Sequence, residues 1–268
     1  MAELGSSIQL IVEQKQADVD RRRAAVPLDA LKRQIAEKAR PRHVINELRW
    51  STRPALFAEV QRDMPNGSAR YSAVTQAMLC IQTGVNGLIV STDDLLLYGH
   101  LSDLAALAGR VDVPLIQYDL FVDTYQVFEA RALGADALNL TVRLLDDDQL
   151  REMLSLTQRL RMVAFLEVYS PFDLARAVRL APRVVAFNSV DPFEGTVDFS
   201  LLMNWLDVLP GTTRAVSLHG IHTIEQLSNL LSWGVSGYGV SGQLLMSEAG
   251  AQVWQLEAEP RGQKDEVL

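Results

Sequence analysis

Two glutamates interrupt otherwise apolar segments and are the first candidates for chemistry. Glu59 stands in the run Ala55–Val60, and Glu167 stands in the run Val163–Val168. Burying a carboxylate costs free energy unless it is paired or hydrogen-bonded. Each glutamate is therefore either a structural bridge between neighbouring strands or an acid–base group. If both side chains open into one pocket, they could act as general base, general acid or electrostatic stabiliser.

A second set of candidates lies in two glycine-containing loops near the C-terminus. The set comprises His219, Gly220, Gly242 and Gln243. A glycine allows a ligand phosphate to approach backbone N–H groups, although it is equally an ordinary turn residue. His219, His222 and Glu225 also have the order of a metal site. The change from loop to helix there interrupts any common face, so we predict no metal.

Eight short apolar runs alternate with amphipathic segments along the chain. The runs are residues 55–60, 87–90, 114–118, 137–140, 163–168, 184–187, 215–218 and 237–240. Runs of this length are typical of buried parallel strands. Eight strand–helix units in about 200 residues predict an α/β fold of the (β/α)8 TIM-barrel type. A doubly wound sheet also alternates, but no G-x-G-x-x-G motif follows the first run.

The barrel prediction places further residues beside the two glutamates. In such barrels the chemistry lies at the C-terminal ends of the strands. These ends carry Gln61 after strand 1, Tyr118 in strand 3 and Asn188 after strand 6. We therefore expect Glu59, Gln61, Tyr118, Glu167, Asn188 and His219 to converge on one mouth, where a small molecule binds.

Three regions follow from the pattern. Residues 1–54 form a helical extension, in which one face is shared by Ile8, Ile11, Val12 and Val19. Residues 55–256 form the barrel. Residues 257–268 form a polar tail that we predict to be disordered. Asp146–Asp148 is interpreted as the charged start of a helix. The charged stretches at residues 20–23 and 93–94 are interpreted as solvated.

Composition excludes several classes of function. The chain has 268 residues and a formal net charge of −8, which argues against binding to a nucleic-acid backbone. No segment has the continuous apolar character of a membrane span, and the N-terminus lacks the basic region of a signal peptide. A single cysteine, Cys80, rules out an internal disulfide. We expect a cytoplasmic protein without a cofactor; its oligomeric state stays open.

The chain resembles the indole-3-glycerol-phosphate synthase family, and the likeness includes the strand-end residues named above. The resemblance covers about residues 8–250 and is carried by the stretch 122–137, by Leu166-Glu167-Val168, by residues 220–223 and by Leu245-Met246. It implies a lyase of tryptophan biosynthesis that closes the indole ring of 1-(2-carboxyphenylamino)-1-deoxyribulose 5-phosphate, releasing CO2 and water. It also implies that the N-terminal extension lies over the barrel mouth.

The resemblance assigns roles to five residues of this chain. Glu59 corresponds to the family's strand-1 glutamate, Glu167 to an acid–base glutamate and Asn188 to a strand-6 asparagine. Gly220 and Gly242 correspond to glycines of the phosphate-binding loops.

Other positions depart from the family pattern, and most of the departures remove positive charge. The family has lysine at Gln61, its general-acid lysine at Tyr118, and arginine at Gln117 and Val190; it has serine at Met64, His219 and Gln243. Losing a general acid lowers a rate by about 10²–10⁴. Three hypotheses follow. The first is an enzyme of altered activity on a less anionic aromatic or indole-like molecule, which keeps Glu59, Glu167 and Asn188 and uses Tyr118 as a new acid or hydrogen-bond donor. The others are a non-catalytic relative that binds a ligand or partner, and a genuine but slow synthase.

Overall fold

A computed structural model of the chain describes residues 2–48, 53–62, 71–188, 205–219, 221 and 223–258. Eight parallel strands close into a barrel in which each strand pairs with its sequence neighbour and β8 pairs with β1. The strands are β1 Ala55–Val60, β2 Gly87–Ser91, β3 Leu115–Tyr118, β4 Ala137–Thr141, β5 Val163–Val168, β6 Val184–Phe187, β7 Arg214–Ser217 and β8 Gly237–Ser241. The predicted TIM barrel is confirmed, and every predicted strand end is within one residue.

Helices surround the barrel and precede it. They are α1 Ala2–Ala25, α2 Leu28–Glu37, α3 Val44–Glu47, α4 Ala73–Gln82, α5 Leu101–Ala108, α6 Thr124–Leu133, α7 Asp147–Arg159, α8 Pro171–Val178, α9 Ile224–Ser232, α10 Gly242–Leu245 and α11 Gly250–Ala258, with a 3-10 turn at Val142–Leu144. Asp123, Asp146 and Thr223 begin α6, α7 and α9 with capping boxes that satisfy free N–H groups.

Alternation along the strands divides the core into two parts. Inward side chains such as Phe57, Ile116 and Phe165 fill the barrel interior, and outward ones such as Leu56 and Leu166 pack against the helices. The same alternation turns Glu59, Tyr118 and Glu167 inward, because each lies two residues after an interior apolar residue. The apolar residues of the strands therefore hold the polar ones at one end of the barrel.

The N-terminal segment contacts the barrel from one end to the other. Lys15 of α1 pairs with acidic residues that follow β2 and β3, on the side of the mouth. Helix α2 packs against α6. Val44 and Leu48, in and just after α3, join the interior cluster and close the opposite end of the barrel. Of the predicted tail 257–268, the first two residues belong to α11, and residues 259–268 lie outside the described part.

Of the two stretches predicted to be solvated, residues 20–23 are mostly exposed, whereas in the stretch 93–94 only Asp94 is exposed. Asp93 is fully buried, because its carboxylate pairs with Lys15 and accepts the backbone N–H of Leu96. In the stretch at residues 20–23, Arg22 pairs with Glu129 and Arg23 pairs with Asp123, so these cations fasten α1 to α6. Across the described residues, no helix combines the length and hydropathy required to cross a membrane.

Candidate active site

Glu167 is the centre of a hydrogen-bond network in the barrel mouth. Its Oε1 accepts from the Tyr118 hydroxyl at 2.8 Å and from Asn188 Nδ2 at 2.9 Å. Its Oε2 accepts from the Thr141 hydroxyl at 2.6 Å and from Asn139 Nδ2 at 3.2 Å. A carboxylate offers about four lone-pair positions. With four donors and 1% exposure, Glu167 is fully occupied by the protein.

Tyr118 is held in its neutral form by this network. Burial raises the pKa of the Tyr118 phenol far above its ordinary range, and the neighbouring Glu167 raises this pKa further. The proton of the phenol therefore stays on the oxygen and is donated to Glu167. Asn188 Nδ2 also reaches the Tyr118 hydroxyl at 3.1 Å and the Tyr169 hydroxyl at 3.2 Å, which fixes the amide orientation.

Glu59 and His219 form a second polar pair in the mouth. His219 Nδ1 lies 3.1 Å from Glu59 Oε2, and both side chains are largely buried. The imidazole also packs on the Tyr118 ring, with 3.9 Å between the ring centroids. The contacts thus run from Glu59 through His219 and Tyr118 to Glu167 and Asn188. The structure brings together five of the six residues expected to converge.

Two acceptor oxygens in this mouth have no donor among the described residues. They are Glu59 Oε1 and Asn188 Oδ1, both buried. A buried acceptor without a donor is costly. A ligand N–H or O–H group would satisfy either oxygen, whereas a ligand carboxylate or phosphate next to Glu59 would be repelled.

Within the part of the chain that the structure describes, the mouth residues are not paired with a fixed positive charge. The chain has four lysines, Lys15, Lys32, Lys38 and Lys264, and none of them lies within residues 55–256. Within the described ranges, no ion pair or hydrogen bond joins a lysine or arginine side chain to Glu59, Tyr118, Glu167 or Asn188. Arg62, just past β1, is held by Asp103 at 2.7 Å, and Arg143 pairs with Asp173 while lying over the Tyr169 ring.

The remaining predicted site residues are placed differently. Gln61 directly follows β1, and its backbone N–H donates to Gln76, but none of its side-chain contacts in the described part joins the network. A Cβ at Gly242 would lie 2.7 Å from the carbonyl oxygen of Glu59. This close packing against β1 is a sufficient reason for glycine at position 242. Gln243 is exposed in α10. Gly220, Met64, Val190 and His222 lie outside the described residues.

Sequence reasoning missed four residues that organise the site. Asn139 and Thr141 are spaced by two in β4, so they share the inward face, and this spacing could have identified them. Tyr169 directly follows β5. Lys15 is four residues after Ile11 and four before Val19, on the face predicted to be apolar. A lone lysine on such a face requires a buried carboxylate partner.

This geometry supports proton transfer without a fixed cation. An imidazole held by a carboxylate can act as a general acid–base group. The Glu59–His219 pair provides such a group, and the adjoining Tyr118–Glu167–Asn188 network is held in one arrangement by its hydrogen bonds. Within the described residues, no three His, Cys, Asp or Glu side chains gather as metal ligands would.

The family profile and the proteins of similar sequence all carry the same family name. The sequence profile of the family "Indole-3-glycerol phosphate synthase" matches residues 8–256. A protein of that name from Roseiflexus sp. (strain RS-1) is 34% identical over 236 residues, covering 84% of this chain and 87% of its own. Another from Legionella pneumophila (strain Paris) is 28% identical over 248 residues, covering 91% and 95%.

Among solved structures, the chain is similar to the N-acetylmannosamine-6-phosphate 2-epimerase from Clostridium perfringens. The TM-score is 0.58 and the sequence identity is 13%, over 81% of this chain and 96% of that one. This likeness concerns the fold alone.

Proposed function

Because this chain belongs to the indole-3-glycerol phosphate synthase family, we propose that its barrel mouth binds an aromatic or indole-like small molecule that is less anionic than the family substrate. The supporting observation is the polarity of the mouth. Glu59 Oε1 and Asn188 Oδ1 are buried acceptors without a donor in the described part of the chain, and no lysine lies within residues 55–256. Such a mouth favours a ligand with N–H or O–H donors.

Charge complementarity argues in the same direction. The family substrate carries a carboxylate and a phosphate, and removing the partner of a buried charge typically costs ~2–5 kcal/mol. In this chain the position of the family's general-acid lysine is occupied by Tyr118, whose proton is donated to Glu167. Several such losses together disfavour an anionic substrate.

We assign the proton-transfer role to the Glu59–His219 pair. Glu59 orients the imidazole, and His219 exchanges a proton with the ligand. The raised pKa of Tyr118 makes this phenol a poor acid but a suitable neutral hydrogen-bond donor. Asn188 would receive a ligand donor through Oδ1. The reaction would be a lyase reaction of the family type or a changed reaction on the same barrel.

A non-catalytic binding protein is the second candidate, and the state of Glu167 favours it. All lone-pair positions of this carboxylate are used by protein donors, and its exposure is 1%. A carboxylate in this state holds neighbouring strands together and has no position left for a substrate. In that case the mouth would bind its ligand without turnover.

A genuine but slow synthase is the third candidate. Glu59, Glu167 and Asn188 occupy positions that the family resemblance assigns to function, and the family profile spans most of the chain. The experiment that separates this candidate is a turnover assay with the family substrate. Formation of indole-3-glycerol phosphate is followed by its fluorescence, and we expect little or no product. A kcat of ~1–10³ s⁻¹, the ordinary range for enzymes, would overturn the proposal.

A binding experiment tests the expected ligand class directly. Isothermal titration calorimetry compares indole, which has one N–H donor, with indole-3-acetate, which adds a carboxylate. We expect indole to bind more tightly, and Glu59→Gln to reduce that preference because it removes the repelling charge. Glu13→Gln, at an exposed position in α1, is the matched control. Tighter binding of indole-3-acetate than of indole that is lost in His219→Ala, and therefore lies in the mouth, would contradict the proposal.

A further inference from the structure

A cavity of about 380 Å³ lies at the end of the barrel opposite the mouth. One wall is the end of α7 with the start of β5, and another is the segment 42–46 that leads into α3. The residue just before β6, Arg183, completes it. This end of a TIM barrel normally contributes to stability, and the chemistry lies at the other end. The cavity is therefore separate from the mouth and from the function proposed above.

The lining of this cavity is cationic. Its twelve residues include Arg42, Arg161, Arg183 and His43, and none of the twelve is an aspartate or glutamate. This is unusual in a chain with a net charge of −8. Arg42 is compensated, because its guanidinium donates to Asp136 Oδ2 at 2.7 Å. Arg161 and Arg183 are exposed and have no acidic partner among the described residues.

The backbone at Arg161 is a second, independent feature. Its φ is 64°, in the left-handed region that favours glycine, and it lies two residues after the end of α7. The corresponding positions after α4 and α9 are Gly84 and Gly234, with φ of 94° and 84°. The chain therefore has an arginine at a position where glycine would adopt the backbone conformation without strain, and this arginine lines the cavity.

We propose that this cavity binds a small organic anion. Its phosphate or carboxylate group is held by the guanidinium groups of Arg161 and Arg183, whose planar forks match both oxyanions. Its apolar body packs on the wall formed by Met162, Val163 and Ala164. Ligand pockets measure about 300–1,000 Å³, and this one is at the lower limit, which suits a molecule with a single ring.

The test is isothermal titration calorimetry of the full chain with phenyl phosphate. Inorganic phosphate and phenol separate the contributions of charge and ring, and benzoate separates a carboxylate from a phosphate. We expect one molecule of phenyl phosphate or benzoate to bind per chain, more tightly than inorganic phosphate or phenol. The affinity should fall as the NaCl concentration rises.

Two variants locate the binding. Arg161→Gly keeps the left-handed backbone, and Arg183→Gln removes the second charge. Each should weaken binding by roughly 10- to 100-fold, as expected for losing a charge-assisted hydrogen bond. Arg151→Gln, which removes an exposed charge near the other end of α7, is the matched control and should leave the affinity unchanged.

Three results would overturn this inference. The first is no binding of phenyl phosphate or benzoate to the parent protein at millimolar concentration. The second is equal affinity of the parent and Arg161→Gly. The third is a loss of binding in His219→Ala but not in Arg183→Gln, which would place the anion in the mouth. If Arg183→Gln does not fold, Arg183→Lys replaces it and should still weaken binding, because a lysine keeps the charge but loses the fork.

Discussion

Tyr118 and Asp119 are adjacent in the chain, yet their side chains point to opposite sides of the barrel wall. Tyr118 points into the barrel and donates to Glu167, whereas the Asp119 carboxylate lies 2.5 Å from Lys15 Nζ of α1. Among the described residues, the lysine near the mouth, Lys15, therefore belongs to a structural ion pair outside the barrel. The position that the family resemblance assigns to a general-acid lysine is occupied by a neutral phenol.

A first prediction concerns restoring the family reaction. The double variant Gln61→Lys with Tyr118→Lys should form more indole-3-glycerol phosphate from the family substrate than the parent does. A lysine at position 118 would lie beside Glu167 and Asn188, and a lysine at 61 would add charge at the end of β1. Neither single change should suffice, since acid catalysis and substrate charge are separate requirements and residues acting as a unit are non-additive.

The same fluorescence assay checks this prediction, with the two single variants as controls. Val190→Arg is added as a third change, because the family resemblance implies an arginine there. If the triple variant folds, binds a substrate analogue and forms no product, the pocket differs beyond these positions. The non-catalytic hypothesis would then be favoured.

The candidate site could be predicted from the sequence only in part. Glu59, Tyr118, Glu167 and Asn188 follow from strand register, because inward positions alternate and strand ends meet at the mouth. The Glu59–His219 contact could not be predicted, since the loop after β7 has no periodicity to fix the direction of a side chain. The requirement for glycine at 242 also depends on a contact distant in sequence, the carbonyl of Glu59.

At the scale of elements, helix α1 is attached to the barrel by a buried cation. Lys15 is 1% exposed and lies 2.7 Å from Asp93 and 2.5 Å from Asp119. Burial lowers the pKa of Lys15, but the two carboxylates raise it more, so the net pKa is above its ordinary value. The Asp119 carboxylate also accepts from the Thr92 hydroxyl at 2.6 Å.

A second prediction follows from this ion pair. Lys15→Met leaves two buried carboxylates without their cation and should lower the free energy of unfolding by about 3–5 kcal/mol. Urea unfolding followed by circular dichroism measures it. Lys32→Met, whose side chain is 53% exposed, is the control and should change stability by no more than about 0.5 kcal/mol. An equal effect of both substitutions would contradict a structural role for Lys15.

The pH dependence of the same variant gives an independent check. A lysine whose pKa is raised on folding stabilises the native state fully below its unfolded pKa, 10.5. That contribution is lost as the pH rises through the folded value. Above pH 10.5 the parent should therefore lose stability more steeply than Lys15→Met does.

The strands were easier to predict than the N-terminal segment. A buried parallel strand is apolar on both faces, so short apolar runs mark its ends closely. Helix α3 has only four residues and could not be identified by periodicity. Its place is fixed by Val44 and Leu48, which close the barrel by contacts with residues far along the chain.

The whole molecule has two ends of different polarity. The mouth carries acidic and acceptor groups around Glu59, Glu167 and Asn188, whereas the opposite cavity carries arginines and no acidic residue. The net charge of −8 does not show this difference, because it is a sum over the whole chain. Ligands of opposite character are therefore expected at the two ends.

Cys80, the one cysteine of the chain, can serve as a chemical probe near the place where β8 pairs with β1. Its side chain projects from α4 and is fully buried, and Sγ lies 4.0 Å from the carbonyl oxygen of Gly242, the residue that follows β8. Burial raises the pKa of the thiol to about 11. Because the thiolate is the reactive form, the native thiol is protected twice, by lack of access and by its protonation.

The third prediction uses this thiol to measure how the barrel opens. At pH 8 the native protein should react with Ellman's reagent only through unfolding, because Cys80 lies against β1 and the end of β8, where the barrel closes, and opening that region breaks the closed sheet. The opening free energy from labelling rates should then equal the global free energy of unfolding, with the same dependence on urea. Since Cys80 is the sole cysteine, each rate reports one site. A clearly weaker urea dependence would mean that α4 detaches locally while the barrel stays closed.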